Sequence, residues 1–205
     1  RLFQVLFLFM EFRTVIPIVS SGNTINHTHQ ILMVGSCFTE NMGTRLQNAK
    51  FKVDINPFGI QYNPLSIAQT LDQLIVPKTY TDTDLFQHES RWHSFMHHSC
   101  FSGNTVEETL DNINKRIQEA SQHLKKADFL FVTFGTAWVY ELKESGQIVS
   151  NCHKLPDAKF TRRRLTVEEI VSVYTKLIQQ INRSTNQQII FTVSPIRHWK
   201  DGAHE

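Results

Sequence analysis

Two side chains that can act as nucleophiles, Ser36 and Cys37, directly follow a glycine in the stretch Ile31–Asn41, ILMVGSCFTEN. The residues before Gly35, Ile31 to Val34, are all apolar and read as a short buried strand. Thr39, Glu40 and Asn41 open a helix running to about Asn48. A strand, a tight glycine turn and a hydroxyl or thiol at a helix start lift the side chain out of the sheet. The helix N-terminus adds orphan N–H groups and a partial positive charge, which favour a thiolate and stabilise an oxyanion. The same residues also suit a plain turn, with Cys37 as a small buried hydrophobe.

Further residues able to do chemistry lie downstream. Residues 56–64, NPFGIQYNP, hold Gly59 between two Asn-Pro pairs. Each proline pushes the residue before it away from helix, so this is a rigid loop fixing Gly59, and a structural turn fits it equally. Residues 78–104 show no clear periodicity and carry Trp92, His93, Phe95, His97, His98, Cys100 and Phe101. His93 and His97 stand at i, i+4, and Cys152-His153 adds further nitrogen and sulfur. Structural zinc wants four such ligands, usually in tight pairs. No CxxC is present, so no metal and no cofactor is expected. The triplet Arg162-Arg163-Arg164 could hold an anionic group, but reads better as a solvated face before a helix.

The elements positioning these residues follow from pattern. Phe51–Ile55 alternates as a strand, and Leu65, Ala68, Leu71 and Leu74 mark a helix. Thr105 with Glu108, and Thr166 with Glu169, read as capping boxes. The first opens a helix striped by Val106, Leu110, Ile113, Ile117, Ala120 and Leu124. The second opens one lined by Val167, Ile170, Val171, Tyr174, Leu177, Ile178 and Ile181. Phe129–Phe134 and Gln188–Val193 are apolar strands, and residues 140–165 read as a loop-rich excursion. Apolar strands alternating with capped helices predict an α/β domain with a mainly parallel sheet. Ligands bind beyond the carboxyl ends of such strands. Gly35-Ser36-Cys37, Gly135-Thr136 and Ser194 to His198 all fall there.

The chain has 205 residues, 40% hydrophobic and 20% charged, which fits a folded domain. A net charge of +2, with no extended basic face, excludes a nucleic-acid surface. Three cysteines without paired spacing, Cys37, Cys100 and Cys152, fit a reducing compartment and a cytoplasmic location. Residues 1–9, RLFQVLFLF, are too short to span a membrane and lack a small-residue cleavage site. We expect Met10 to be the natural start and residues 1–9 to be upstream sequence, with a truncated secretion signal as the alternative. Residues 10–205 are expected to form one domain whose C-terminal part is cut.

Five motifs carry a resemblance: GSCF at 35–38, NPFGIQYNP at 56–64, FGTAWVY at 134–140, SNCHKLP at 150–156 and SPIRHWKDG at 194–202. In this order they resemble the GSCFA family, from about Glu11 to the end. That family looks like a branch of the SGNH (GDSL-type) hydrolases, which implies a flavodoxin-like, three-layer α/β/α fold and ester hydrolysis or acyl transfer. In those enzymes the nucleophilic serine follows the first strand as Gly-Asp-Ser. Register on Gly35 puts Cys37 at the nucleophile, and a slip of one residue restores Ser36. The resemblance gives Gly59 an oxyanion-hole role. Gly-x-Asn-Asp reads here as Gly135-Thr136-Ala137-Trp138, without the asparagine. Thr136, Asn41, Asn63 or Asn151 could donate instead. The Asp-x-x-His element is expected beyond residue 205, leaving His198 and His153 as candidate site histidines. The expected partner is a small-molecule or glycan ester. A non-catalytic carbohydrate or acyl-group binding module, carried by Trp92, Trp138 and Trp199, is the competing reading.

Overall fold

The computed structural model describes Pro17 and residues 22–193. In chain order its elements are β1 (Gln30–Gly35), α1 (Cys37–Asn48), β2 (Lys52–Ile55), α2 (Pro64–Ile75), β3 (Phe86–His88) and β4 (Arg91–His93). Then come α3 (Val106–Leu124), β5 (Phe129–Phe134), β6 (Trp138–Leu142), β7 (Ile148–Val149), β8 (Phe160–Arg164), α4 (Val167–Ser184) and β9 (Gln188–Val193). Four strands form one parallel sheet in the order β2-β1-β5-β9.

The apolar run of β1 exists because both of its faces are covered. Leu32 and Val34 face one side with Leu130 and Val132, against Leu71 of α2, Ile117 of α3 and Leu177 of α4. Ile31, Met33 and Phe129 face the other side, against Met42 and Leu46 of α1. The result is three layers, α1 on one face and α2, α3 and α4 on the other. The mainly parallel α/β architecture anticipated from pattern is therefore present. Thr166 and Glu169 form the full capping box. Thr105 accepts from the Glu108 N–H, but the Glu108 carboxylate reaches the Asn104 N–H instead, one residue early.

Two segments gain detail and one expectation needs correction. Residues 140–165 are loop-rich, as expected, and carry most of an antiparallel sheet, β7-β6-β8, that follows the carboxyl end of β5. Residues 78–104, patternless in sequence, contain the β3–β4 hairpin. Val167 and Val171 do not line the buried stripe of α4, being 70% and 57% exposed on its flank. The inward face is carried by Tyr174, Leu177 and Ile181. Among the described residues, no helix is long and apolar enough to cross a membrane. Expectations for residues 1–9, Met10, and the segment 194–205 with His198 and Trp199 lie outside the described residues.

Candidate functional site

Strand order reverses between β1 and β5, since β2 lies on one side of β1 and all later strands of the sheet on the other. Crevices at such a reversal are where open α/β sheets bind ligands. Gly35 ends β1 at this point, in register with Thr133 of β5. Its φ is +141°, and a Cβ there would collide with the Thr133 carbonyl. Only glycine lets the chain turn this close to β5. The Ser36 N–H then donates to that carbonyl at 3.3 Å.

This turn separates the two nucleophile candidates. Ser36 is the N-cap of α1 and 1% exposed, and among the described residues its Oγ has no hydrogen-bond partner. Cys37 is the first helical residue, half-buried, with a free thiol. The first-turn N–H groups of a helix have no intrahelical partner, so α1 presents donors where its thiol stands.

The model of the GSCFA family matches residues 30–205, beginning at the first residue of β1. The chain belongs to the GSCFA family. A comparison with curated proteins gave no match.

The second GSCFA motif braces the first. Asn56 has φ +41°, and its Oδ1 accepts from the buried Gly35 N–H at 2.9 Å. Its Nδ2 donates to Glu40 of α1 at 2.9 Å. The Gln61 N–H donates to the Gly35 carbonyl at 3.0 Å. Gly59 turns at φ +80° against His98, and its N–H donates to the Asn56 carbonyl at 2.7 Å. That donor is held inside the loop and is not directed at an oxyanion. The Tyr62 carbonyl likewise accepts from the N–H groups of Gly135 and Thr136, at 2.8 and 3.0 Å. A Cβ on Gly135 would lie 2.9 Å from the Tyr62 ring and 3.2 Å from the Ser36 Cβ, so its lack of a side chain lets these two close in.

Beside this turn lies a cavity of about 390 Å³, lined by Tyr62, His98, Thr136, Trp138, Asn151 and Arg162 among others. Tyr62 joins it to the turn. Burial, and secondarily the charge of Cys37, raise the Tyr62 phenol above its usual range. Thr136 Oγ1 accepts from the Trp138 N–H at 3.2 Å, which leaves its own O–H to donate. His98 Nδ1 accepts from the Cys100 N–H at 3.3 Å, so in the neutral ring Nε2 carries the proton.

The remaining candidates do other work. Asn63 lines the cavity, yet its side chain caps α2 through Ser66 N and Ser66 Oγ, at 2.8 and 2.9 Å. Asn151 Oδ1 accepts from the His153 N–H at 2.8 Å, leaving its amide donors beside the cavity. His153 points elsewhere: its Nε2 meets the Ser94 carbonyl at 2.9 Å, and its ring lies 4.5 Å from that of His93. Burial lowers its pKa to about 4. It is a packed neutral imidazole, not a partner of Cys37. His93 bonds Ser102 Oγ and the His88 carbonyl, and His97 stacks on Phe58 at 4.3 Å. Among the described residues no three His, Cys, Asp or Glu side chains group as a metal site.

Pattern reading singled out Gly35, Ser36, Cys37, Thr136 and Asn151, which gather at one edge. It missed Tyr62 and Tyr140, raised His98 only within the His/Cys-rich stretch, and raised Arg162 only within the arginine triplet, which it read as a solvated face. The signal was present for the strand residues, since Trp138 and Tyr140 alternate on one face of β6, and Arg162 stands opposite Tyr140.

Proposed function

We propose that this GSCFA domain cleaves ester bonds, or transfers acyl groups, with Cys37 as its covalent nucleophile. One observation carries the choice: the Cys37 thiol stands half-buried at the first turn of α1 beside Tyr62, while the Ser36 hydroxyl is sealed. The SGNH resemblance supports it, because register on Gly35 puts Cys37 where those hydrolases keep their nucleophile.

The chemistry follows from position. The Cys37 sulfur, its proton passed to a base, attacks the substrate carbonyl carbon. The tetrahedral oxyanion is met by α1 first-turn N–H groups and the Thr136 hydroxyl, each donor being worth about 3 kcal/mol. Collapse expels the alcohol with the proton and leaves a thioester on Cys37. Water or a second alcohol then takes the acyl group. The base is proposed to come from the segment after β9, where His198 stands five residues past Val193. Three free thiols support a reducing, cytoplasmic setting.

An activated ester such as p-nitrophenyl butyrate tests the reading. A stable acyl adduct on Cys37, with turnover lost in Cys37→Ala, supports it. The binding-module reading is favoured by the inward-held N–H groups of Gly59 and Gly135. Saturable ligand binding without any acyl adduct would select it.

A further inference from the structure

We propose that the cavity between residues 60–63 and β6 binds an uncharged ligand by its acyl carbonyl, read by donors on His98, Thr136, Ser150 and Asn151. Cys37 is not part of the cavity wall, so this goes beyond the ester-cleaving reading and does not depend on it. Each of these side chains has its acceptor atom already in use. His98 Nδ1 accepts from the Cys100 N–H at 3.3 Å, and Thr136 Oγ1 accepts from the Trp138 N–H at 3.2 Å. Ser150 Oγ accepts from Gln61 Nε2 at 2.9 Å, and Asn151 Oδ1 accepts from the His153 N–H at 2.8 Å. These bonds hold each group in place. What remains in every case is a hydrogen: the Nε2–H of the neutral imidazole, two hydroxyls and the Asn151 amide. His98 Nε2 and Asn151 Nδ2 have no partner among the described residues, yet neither is a sealed atom, so both open to solvent space.

A donor-rich wall calls for a ligand that supplies acceptors. The rest of the lining says that the ligand is uncharged. Among the described residues it contains no aspartate or glutamate, and its one lysine or arginine is Arg162. That guanidinium stacks on Trp138 at 4.0 Å and is not free. No cation is left over to balance a buried negative charge, and an unbalanced one is costly to bury. A carbonyl oxygen takes two donors without bringing a charge or a hydrogen of its own. Ile60 and Val149 add apolar wall for the alkyl part of an acyl group. A volume of about 390 Å³ holds a small acylated unit rather than a macromolecule.

Three glycosides built on one ring test the assignment. Methyl N-acetylglucosaminide carries an acyl carbonyl, methyl glucoside carries hydroxyls alone, and methyl glucuronide carries a carboxylate. Titration calorimetry gives the affinities, and the side-chain amide resonances of Asn151 report the place of binding. The N-acetyl glycoside should bind saturably, shift those resonances, and bind about tenfold or more tightly than methyl glucoside, the scale of two hydrogen bonds. Asn151→Asp keeps the acceptor for the His153 N–H and replaces the presented donor by an acceptor. It should weaken the N-acetyl glycoside about tenfold or more. Thr136→Val should weaken it about threefold to tenfold, and it serves if the aspartate variant does not fold. A methyl 2-O-acetyl-glucoside then tells an ester carbonyl from an amide carbonyl, and either preference supports the assignment. Equal or tighter binding of the glucoside or the glucuronide overturns it. So does an affinity unchanged in the variants, or an Asn151 amide that none of the glycosides shifts. None of these readouts involves turnover at Cys37, so failure here is separate from failure of the ester-cleaving reading.

Discussion

The buried Gly35 N–H donates to Asn56 Oδ1 at 2.9 Å, which joins the turn after the first strand to the loop after the second. Asn56 also holds Glu40 of α1 by its other side-chain atom. One asparagine thereby sets where α1 begins relative to β1, and so where Cys37 stands. Its own left-handed conformation, φ +41°, is one that asparagine tolerates better than most residues. Asn56→Ala leaves the Gly35 N–H buried without an acceptor, at a cost of about 2 kcal/mol. A denaturant midpoint lowered accordingly, with reduced alkylation selectivity at Cys37, is the expected result.

Gly35→Ala should be far more damaging. The new methyl would collide with the Thr133 carbonyl, in a backbone conformation that L side chains rarely adopt. The expected loss is about 4 kcal/mol or more, within the class of severe single substitutions. Thermal unfolding of the variant, or its failure to accumulate as folded protein, checks this.

Gly135→Ala has a different signature. Its Cβ meets the Tyr62 ring edge at 2.9 Å and the Ser36 Cβ at 3.2 Å, so the Tyr62 side chain must give way. We expect a modest change in Tm but a displaced Tyr62 and a distorted cavity mouth. Ester turnover should fall more than tenfold, the usual scale for misplacing a positioning group.

Most of the main sheet was legible because a parallel strand covered on both faces has to be apolar along its length. Ile31–Val34 and Phe129–Phe134 announced themselves this way, Gln188–Val193 was legible as an apolar run although Phe191 and Val193 are exposed, and Thr166-Glu169 announced α4. The antiparallel sheet of β6, β7 and β8 did not. Its strands are two to five residues long and one carries Arg162, Arg163 and Arg164, so hydropathy sees a loop. The outcome at the candidate site divides in the same way. Local geometry placed Ser36 and Cys37 at a helix start, but their difference in burial depends on how closely β5 approaches, which no local pattern encodes. The cavity draws Tyr62, His98, Trp138 and Arg162 from four distant segments, and only the fold brings these together.

Stability should fall with acid through His97. This ring is 1% exposed, stacked on Phe58, and burial lowers its pKa from 6.5 to about 3. The unfolded chain protonates it near 6.5, so between about pH 6.5 and 3 the unfolded state binds the extra proton. The stabilisation is complete above pH 6.5 and is lost as pH falls through that window. At pH 5 the loss from this group is about 2 kcal/mol relative to pH 7. His97→Leu should show a smaller drop in denaturation midpoint over the same interval. Equal slopes for both proteins would remove His97 as the cause.

The central claim is that Cys37, not Ser36, carries the acyl group. Mass-spectrometric mapping after brief exposure to p-nitrophenyl butyrate tests it most directly. The account predicts one acyl adduct, on the peptide holding Cys37, cleaved by hydroxylamine, lost in Cys37→Ala and retained in Ser36→Ala. An adduct on Ser36, or turnover that survives Cys37→Ala, would contradict it.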